Sequence, residues 1–266
     1  MDQRGPRGFD PTKPNAARLY DYYLGGKDNF PADRAAAEKI LRVAPELRAA
    51  ARANRAFLGR AVRYLAAQGI TQFLDIGTGL PTRGNVHEVA PPGSRIAYVD
   101  NDPVVLVHAR ALLTASERDT TAVWGDLRDP EEILKNAELG LDFDQPIGLL
   151  LVAVLHFIGR SDDTGRIIAT LRDALAPGSF IALSHGTSDA RRAAVDKGTE
   201  VYRKSASPLT LRSRSEIEAL FDGFEMVEPG VVWLPQWRPE EADFIDFPEH
   251  PERSLILCGL GRKNAD

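Results

Sequence analysis

The sequence contains little sulfur, with one cysteine and two methionines in 266 residues. A single cysteine cannot form an intrachain disulfide, which favours a reducing compartment. We expect Cys258, inside the apolar run 255–258, to be a small core residue of a strand. No run approaches the roughly 20 apolar residues of a membrane helix, so we expect no membrane partner. The first residues lack the apolar segment of a secretory signal, and we predict a cytoplasmic protein.

Basic residues are not in excess. The chain has 33 Lys and Arg against 38 Asp and Glu, a formal net charge of −5 and a pI of about 5.6. This balance argues against a broad basic surface, so we expect no nucleic-acid partner. Neither the five histidines nor the single cysteine belong to a cluster with metal-ligand spacing, and we predict no metal.

The chain divides into three parts. Residues 1–14, rich in proline, glycine and charge, are expected to be flexible. The apolar pattern of residues 15–68 predicts three helices, which together form a helical lid or extension. The arginines of the third helix are expected to form a solvated face. Residues 69–266 alternate strands with helices and end in antiparallel strands. The fold class is therefore α/β, with a doubly wound, mostly parallel seven-stranded sheet. Strands are predicted over 71–76, 95–100, 120–124, 147–154 and 179–184, and helices near 83–89, 102–115, 130–137, 162–175 and 188–204.

A nucleoside-binding βαβ unit is predicted at residues 71–100. The first strand ends near Asp75, Gly77 and Gly79 turn the backbone, and the second strand ends at Asp100. A carboxylate at Asp75 would repel a pyrophosphate and attract an ammonium and a sulfonium, which indicates S-adenosylmethionine as cofactor. An NAD-linked oxidoreductase is the weaker alternative, because Thr82 stands where the dinucleotide pattern requires Gly or Ala.

Asp100 is expected to accept hydrogen bonds from a ribose diol. The alternative is that an acid here caps the next helix, and Asp102, which precedes Pro103, is the better candidate for that cap. Asn101 is expected to line the adenine side. After the third strand, Asp126 is predicted to accept from the adenine amino group and the Leu127 amide to reach a ring nitrogen. The alternative for Asp126 is a turn residue.

Several of these segments together resemble one family. They are the run 15–30, which includes Gly25-Gly26-Lys27-Asp28-Asn29, and the segments 73–89, 98–103 and 154–157. The chain resembles class I S-adenosylmethionine-dependent methyltransferases, and more narrowly an actinobacterial S-adenosyl methyltransferase family once described as a domain of unknown function. The resemblance covers nearly the whole chain after residue 14. It implies the fold and the cofactor, and it supplies no substrate.

The N-terminal run is expected to fold over the cofactor and exclude water. Tyr22, Gly25, Gly26 and Asn29 are predicted to contact cofactor or substrate, whereas Tyr20 and Tyr23 are expected to pack against the domain.

His156 and His185 are the candidate catalytic residues, because each follows a buried strand where open-sheet sites form. Either could act as a general base or be a structural hydrogen-bonding residue. The acceptor is expected to be a small molecule methylated on oxygen or nitrogen, and the protein a monomer or homodimer. The alternative function is a non-catalytic regulator that binds S-adenosylmethionine or S-adenosylhomocysteine. The stretch 233–239, with two tryptophans, would either wall an acceptor pocket or cover the sheet edge.

Overall fold

A computed structural model describes residues 10–113, 119–190, 209–241 and 246–264. Three helices come first: α1 (Ala16–Tyr23), α2 (Pro31–Leu41) and α3 (Leu47–Ala67). The alternating part follows as β1 (Gln72–Ile76), α4 (Val86–Val89), β2 (Arg95–Asp100), α5 (Pro103–Leu113), β3 (Thr120–Trp124), α6 (Pro130–Lys135), β4 (Gly148–Val152), α7 (Thr164–Ala174) and β5 (Phe180–Gly186). The chain ends with α8 (Arg214–Glu218), β6 (Glu225–Met226), β7 (Val232–Trp233) and β8 (Ile256–Arg262). The helix predicted over 188–204 lies almost wholly outside the described residues.

The strands form one sheet in the order β3-β2-β1-β4-β5-β8-β6, and β7 also pairs with β8. Strands β1 to β5 run parallel, whereas β8 is antiparallel to β5 and to both β6 and β7. The predicted α/β class and mostly parallel sheet are confirmed, but the residues that the structure describes form eight strands rather than seven. The reason is local: β6 and β7, two residues each, pair with opposite ends of β8.

Helices cover both faces of the sheet, so the parallel strands are buried on both sides. One apolar core joins α3, α4 and α5 to the face that carries Phe73 and Tyr98. The other joins α6, α7 and α8 to the face that carries Leu74 and Leu149. Cys258 is fully buried in β8, as predicted. In the described part of the chain, no helix has both the length and the apolar character needed to span a bilayer.

The structure corrects the prediction for one arginine of α3 and decides between the two alternatives for the stretch 233–239. Arg60 of α3 was expected on a solvated face, but it is buried and donates to the carbonyl oxygens of Trp237 and Leu234 (both 2.8 Å). Trp237 is fully buried against Phe57, with ring centroids 5.4 Å apart. The sequence 234–237 therefore covers the sheet and α3, and Trp237 does not wall a pocket.

The helical extension is held together by a buried acid. Asp33, which is fully buried, accepts from the backbone N–H of Asn15 (2.9 Å) and of Phe30 (2.8 Å) and pairs with Arg18 (3.1 Å). These contacts fasten the start of α1 to the start of α2. A small core that includes Leu19 and Tyr23 packs against Phe157, which follows β4, so this extension lies at the carboxyl end of the parallel strands.

Candidate functional site

The crevice lies where the strand order reverses. Strand β1 is flanked by β2 on one side and by β4 on the other, so the connections from their carboxyl ends diverge. Open α/β sheets bind ligands at this switch point. The glycine turn after β1 and the segment 153–157 after β4 form its two sides. They are in close contact: a Cβ on Gly77 would lie 2.3 Å from Val154 Cγ2.

Both glycines of the turn have positive φ angles, 77° at Gly77 and 68° at Gly79. A side chain would strain the backbone at either position, and at Gly77 it would also collide with Val154. Across the crevice Ala153 has a φ of 58°, which is uncommon for a residue with a side chain. Its backbone N–H is held by Ser184 Oγ at 2.9 Å. The left-handed backbone at 153 is one observed point of strain, and strain of this kind is concentrated at functional sites.

Asp75 is the buried acid beside the turn, with 6% of its surface exposed. Burial raises the pKa of its carboxyl to about 7, and the nearby Asp100 charge adds to this effect. The Arg55 guanidinium acts in the opposite direction and favours the carboxylate. The site therefore holds a desolvated acid that would gain from a cationic ligand.

Arg55 of α3 stands opposite Asp75 in the same pocket, which Thr78, Asn85, His87 and Tyr98 also line. Its Nη2 donates to the carbonyl oxygen of Gly84 (2.8 Å) and to Asn85 Oδ1 (3.3 Å). Its Nε is buried and has no hydrogen-bond partner among the residues that the structure describes. An unsatisfied buried donor on a cation is costly, which makes this atom a candidate ligand for an anionic group.

Sequence reasoning missed Arg55, because five arginines of α3 share one predicted surface. Only the tertiary structure distinguishes Arg55 from the other arginines of this helix. Arg52, three residues earlier, is exposed and pairs with Asp246 at 2.9 Å. A helix pattern does not reveal which turn of α3 passes the end of β1.

Asp100 lies beside the glycine turn, as predicted. Its Oδ2 accepts from the Gly79 N–H (2.9 Å) and its Oδ1 from the Asp102 N–H (2.8 Å). Burial raises the pKa of Asp100 to about 6, although these two backbone donors stabilise the carboxylate. Each oxygen retains a lone pair for a further donor. Asp102 accepts from Val104 N–H at 2.8 Å at the start of α5, which confirms its capping role.

Two of the residues predicted for the adenine side lie close together. Asn101 Nδ2 donates to Asp126 Oδ2 at 3.3 Å, so the tips of β2 and β3 meet there. Burial raises the pKa of Asp126, but hydrogen bonds and charge from Arg128 outweigh that effect and place it below its ordinary value. Arg128 thus occupies much of this carboxylate. The Leu127 side chain is buried in the core, so only its backbone can reach a ligand.

The N-terminal residues predicted to contact a ligand are largely engaged with one another. Asn29 Nδ2 donates to Asp21 Oδ2 (2.7 Å) and to the Gly26 carbonyl oxygen (3.0 Å). Tyr22 donates to Glu38 Oε1 at 3.3 Å. Gly25 has a φ of 82°, and a Cβ on Gly26 would lie 1.9 Å from Asp21 Oδ1. Gly25, Gly26 and Asn29 build the turn between α1 and α2, and Tyr22, near the end of α1, bonds to α2 beside it.

That turn reaches α5, because Asp28 Oδ2 lies 3.7 Å from His108 Nδ1. The other side of the extension is tied to β5. Tyr20 accepts from Asn54 Nδ2 (2.9 Å), and Asn54 Oδ1 accepts from Ser184 Oγ (2.6 Å). The extension therefore spans the crevice from the β2 side to the β5 side. The packing predicted for Tyr20 and Tyr23 is confirmed.

The two candidate catalytic histidines lie side by side, with ring centroids 5.6 Å apart. His185 is fully buried, and both ring nitrogens are bonded: Nδ1 to the Gly186 carbonyl oxygen (2.7 Å) and Nε2 to Arg212 Nη1 (2.8 Å). Burial lowers the pKa of His185 to about 4. Since neither nitrogen is available, His185 is not placed to act as a general base in this arrangement.

His156 follows β4 and is almost buried. Its Nδ1 accepts from the Gly186 N–H at 3.2 Å. Burial, together with the adjacent His185 and Arg212, holds its pKa well below the ordinary value. His156 is therefore a neutral ring at physiological pH. Over the described ranges of the chain, no group of three or more His, Cys, Asp or Glu side chains is arranged to hold a metal ion.

The order of the sheet, the glycine turn and the acids at the carboxyl ends of β1 and β2 define a methyltransferase-type α/β fold. The model of the S-adenosyl methyltransferase family matches residues 2–264, and the chain belongs to that family. The cofactor of the family is S-adenosylmethionine, and the protein is an S-adenosylmethionine-dependent methyltransferase.

Solved structures agree with the family. A candidate methyltransferase from Thermobifida fusca YX is 42% identical, with a TM-score of 0.90, over 99% of this chain and 100% of that one. A DUF574 family protein from Streptomyces avermitilis is 40% identical, with a TM-score of 0.90, over 96% and 99%. The N-methyltransferase NodS from Bradyrhizobium japonicum, solved with S-adenosyl-L-homocysteine, is 13% identical with a TM-score of 0.51 over 93% and 100%, and shares the fold alone. A search of curated proteins found no match.

Proposed function

We propose that the crevice binds S-adenosylmethionine with its amino-acid end between Asp75 and Arg55 and transfers the methyl group to a small molecule, on oxygen or nitrogen, beside His156. The observation that carries this proposal is the pairing of opposite charges next to the glycine turn. The methionyl part of the cofactor is a zwitterion, with an ammonium and a carboxylate on one carbon. Asp75 suits the first, directly or through water, and the buried Nε of Arg55 suits the second.

The remaining contacts follow from the same orientation. Gly77 and Gly79 let the backbone approach the ligand, and Asp100 accepts from the ribose hydroxyls with its free lone pairs. Asn101, Asp126 and the Leu127 backbone then lie on the adenine side. A dinucleotide fits poorly, because its pyrophosphate would meet the Asp75 carboxylate.

The cofactor supplies a methyl group already activated on a sulfonium, so the protein mainly aligns the reactants. The extension 15–68 acts here as a lid. Its turn is shaped by Gly25, Gly26 and Asn29, and Tyr22 joins α1 to α2. A lid held in this way excludes water from the crevice. A crevice covered from the β2 side to the β5 side favours a small acceptor over a macromolecule.

The test compares two nucleosides on two arginine variants. S-adenosylhomocysteine carries the amino-acid end, whereas 5′-methylthioadenosine lacks it. We expect Arg55→Met to weaken S-adenosylhomocysteine binding by about 10- to 100-fold, the loss of a charge-assisted hydrogen bond, and to leave methylthioadenosine binding unchanged. Isothermal titration calorimetry measures both.

Arg52→Met is the matched control, because this arginine lies on the same helix and is exposed. It should change neither affinity. An equal loss for both nucleosides in Arg55→Met would mean that Arg55 acts only by holding the 83–85 loop. Failure of the unsubstituted protein to bind S-adenosylhomocysteine at all would overturn the proposed function.

A further inference from the structure

Three polar groups behind the crevice form a directed chain of hydrogen bonds. Arg212 Nη1 donates to His185 Nε2 at 2.8 Å, and His185 Nδ1 donates to the Gly186 carbonyl oxygen at 2.7 Å. An arginine has no acceptor, so His185 must carry its proton on Nδ1. The ring is therefore a single tautomer, and it fixes the position of Gly186.

Arg212 is itself held firmly. It is buried and also donates to the Leu155 carbonyl oxygen (3.2 Å) and to Thr164 Oγ1 (2.7 Å). No described carboxylate pairs with its guanidinium. Glu216, whose charge acts on Arg212, instead pairs with Arg160 at 2.6 Å. Burying a guanidinium with only neutral acceptors costs free energy of folding, because no described carboxylate offsets the lost hydration of its charge. We therefore infer that the position of Arg212 contributes to the site rather than to stability.

Gly186, held by His185, in turn fixes the orientation of the His156 ring. Its N–H donates to His156 Nδ1 at 3.2 Å, and an amide nitrogen can only donate. A neutral His156 must therefore carry its proton on Nε2, which points away from Gly186. Among the described residues, Nε2 has no hydrogen-bond partner. His156 adjoins Phe157, which packs under the lid, at the end of β4.

We propose that Arg212 and His185 are positioning residues that fix His156 as a hydrogen-bond donor, with Nε2–H directed to the methyl-acceptor site. The site then recognises an acceptor through an oxygen lone pair, such as that of a phenolate or carboxylate group, and His156 does not deprotonate it. This inference rests on the proposed function for its ligand, but not for the state of the rings.

For an acceptor that is already deprotonated, such as a phenolate or carboxylate, the chemistry balances without a proton acceptor on the protein. A lone pair of the acceptor forms the new bond to the methyl carbon as the carbon–sulfur bond breaks. The electrons of that bond go to sulfur and convert the sulfonium to a neutral thioether. A second proton on His156 would have to enter at Nδ1, against the Gly186 N–H and close to His185 and the Arg212 charge.

Nuclear magnetic resonance of the full-length ¹⁵N-labelled protein tests the inference, because long-range ¹H–¹⁵N correlations distinguish the two tautomers. His156→Gln and His185→Gln assign the signals, and exposed His250 is the reference ring. We expect His156 as the Nε2–H tautomer and His185 as the Nδ1–H tautomer, with neither ring gaining a proton between pH 8 and pH 5.5. An Nδ1–H tautomer at His156, or its protonation in that range, would overturn the inference.

Two variants test the part played by Arg212. Arg212→Met should release His185 into a mixture of tautomers and shift the His156 Nδ1 signal, whereas Arg212→Lys, which still donates, should retain the single tautomers. Unchanged rings in Arg212→Met would remove its positioning role. If that variant does not fold, the lysine variant and the pH series on the unsubstituted protein still decide. Calorimetry with S-adenosylhomocysteine tests the proposed function separately.

Discussion

Asp75 illustrates how a single residue can serve a site at the expense of the fold. Its carboxyl is buried beside Asp100, and its pKa is raised to about 7, well above that of an exposed aspartate. An acid with a raised pKa in the folded state stabilises the protein fully at low pH and loses that contribution as pH rises through about 7. The charge needed to bind a cation is thus a cost while the site is empty.

We predict that Asp75→Asn makes the stability of the ligand-free protein less sensitive to a rise in pH from 5 to 8. Between pH 5 and pH 8 the free energy of unfolding of the unsubstituted protein should fall by about 2 to 3 kcal/mol relative to that of the variant. Urea denaturation at both pH values measures the difference. Asp163→Asn, at the cap of α7, is the control and should give no such relative change. Parallel pH dependences in Asp75→Asn and the unsubstituted protein would contradict the prediction.

Single residues also mark where the sequence was sufficient. Asp102 could be assigned as a cap because a helix start is a local pattern, and the structure confirms it. Asp100 lies at the end of β2 and accepts from the Gly79 N–H, and its contact with a ribose stays a prediction. Arg55, Arg60 and the bonded state of His185 could not be assigned from the sequence, because each depends on which distant segment meets the side chain. Periodicity identifies a face of a helix, but not its neighbour.

At the scale of elements, contacts with the Asp21 carboxylate constrain the turn between α1 and α2. Asp21 accepts from the Asp28 N–H (3.1 Å) and from Asn29, and Gly26 packs directly against its carboxylate. The two positions require glycine for different reasons. Gly25 has a positive φ angle, whereas at Gly26 a Cβ would collide with the Asp21 carboxylate.

We predict that Gly26→Ala costs about 2 to 4 kcal/mol of stability, because its Cβ would displace Asp21 and break those hydrogen bonds. Gly25→Ala is the matched control. It has a φ of 82° and no atom within 4 Å of an added Cβ, so backbone strain alone should cost about 1 kcal/mol. Urea unfolding compares them. Equal losses would show that the contact between Gly26 and Asp21 does not limit this turn.

At the scale of the whole molecule, the proposed function draws one binding site from segments of the sheet and of the extension 15–68 that are far apart in sequence. Residues from α3, β1, β2 and the segments after β3 and β4 surround the crevice. A ligand that joins these segments stabilises the native state by mass action.

We predict that S-adenosylhomocysteine at about 100 times its Kd adds about 2.7 kcal/mol and raises Tm by roughly 5 to 10 °C. NAD at the same concentration should give no shift, because Asp75 opposes its pyrophosphate. Scanning fluorimetry measures both. Asp100→Ala is expected to reduce the shift by weakening ribose binding. A larger Tm shift with NAD than with S-adenosylhomocysteine would contradict the assignment of the crevice to S-adenosylmethionine.

The sequence by itself determined the α/β class, the parallel strands, the glycine turn and the acids at two strand ends. These features are local, since each follows from hydrophobic pattern and backbone preference within about 30 residues. The tertiary structure alone decided that Arg55 faces Asp75, that Arg60 is buried, and that His185 is bonded at both nitrogens. Burial and hydrogen-bond pairing set these properties, and both depend on residues brought together from remote parts of the chain.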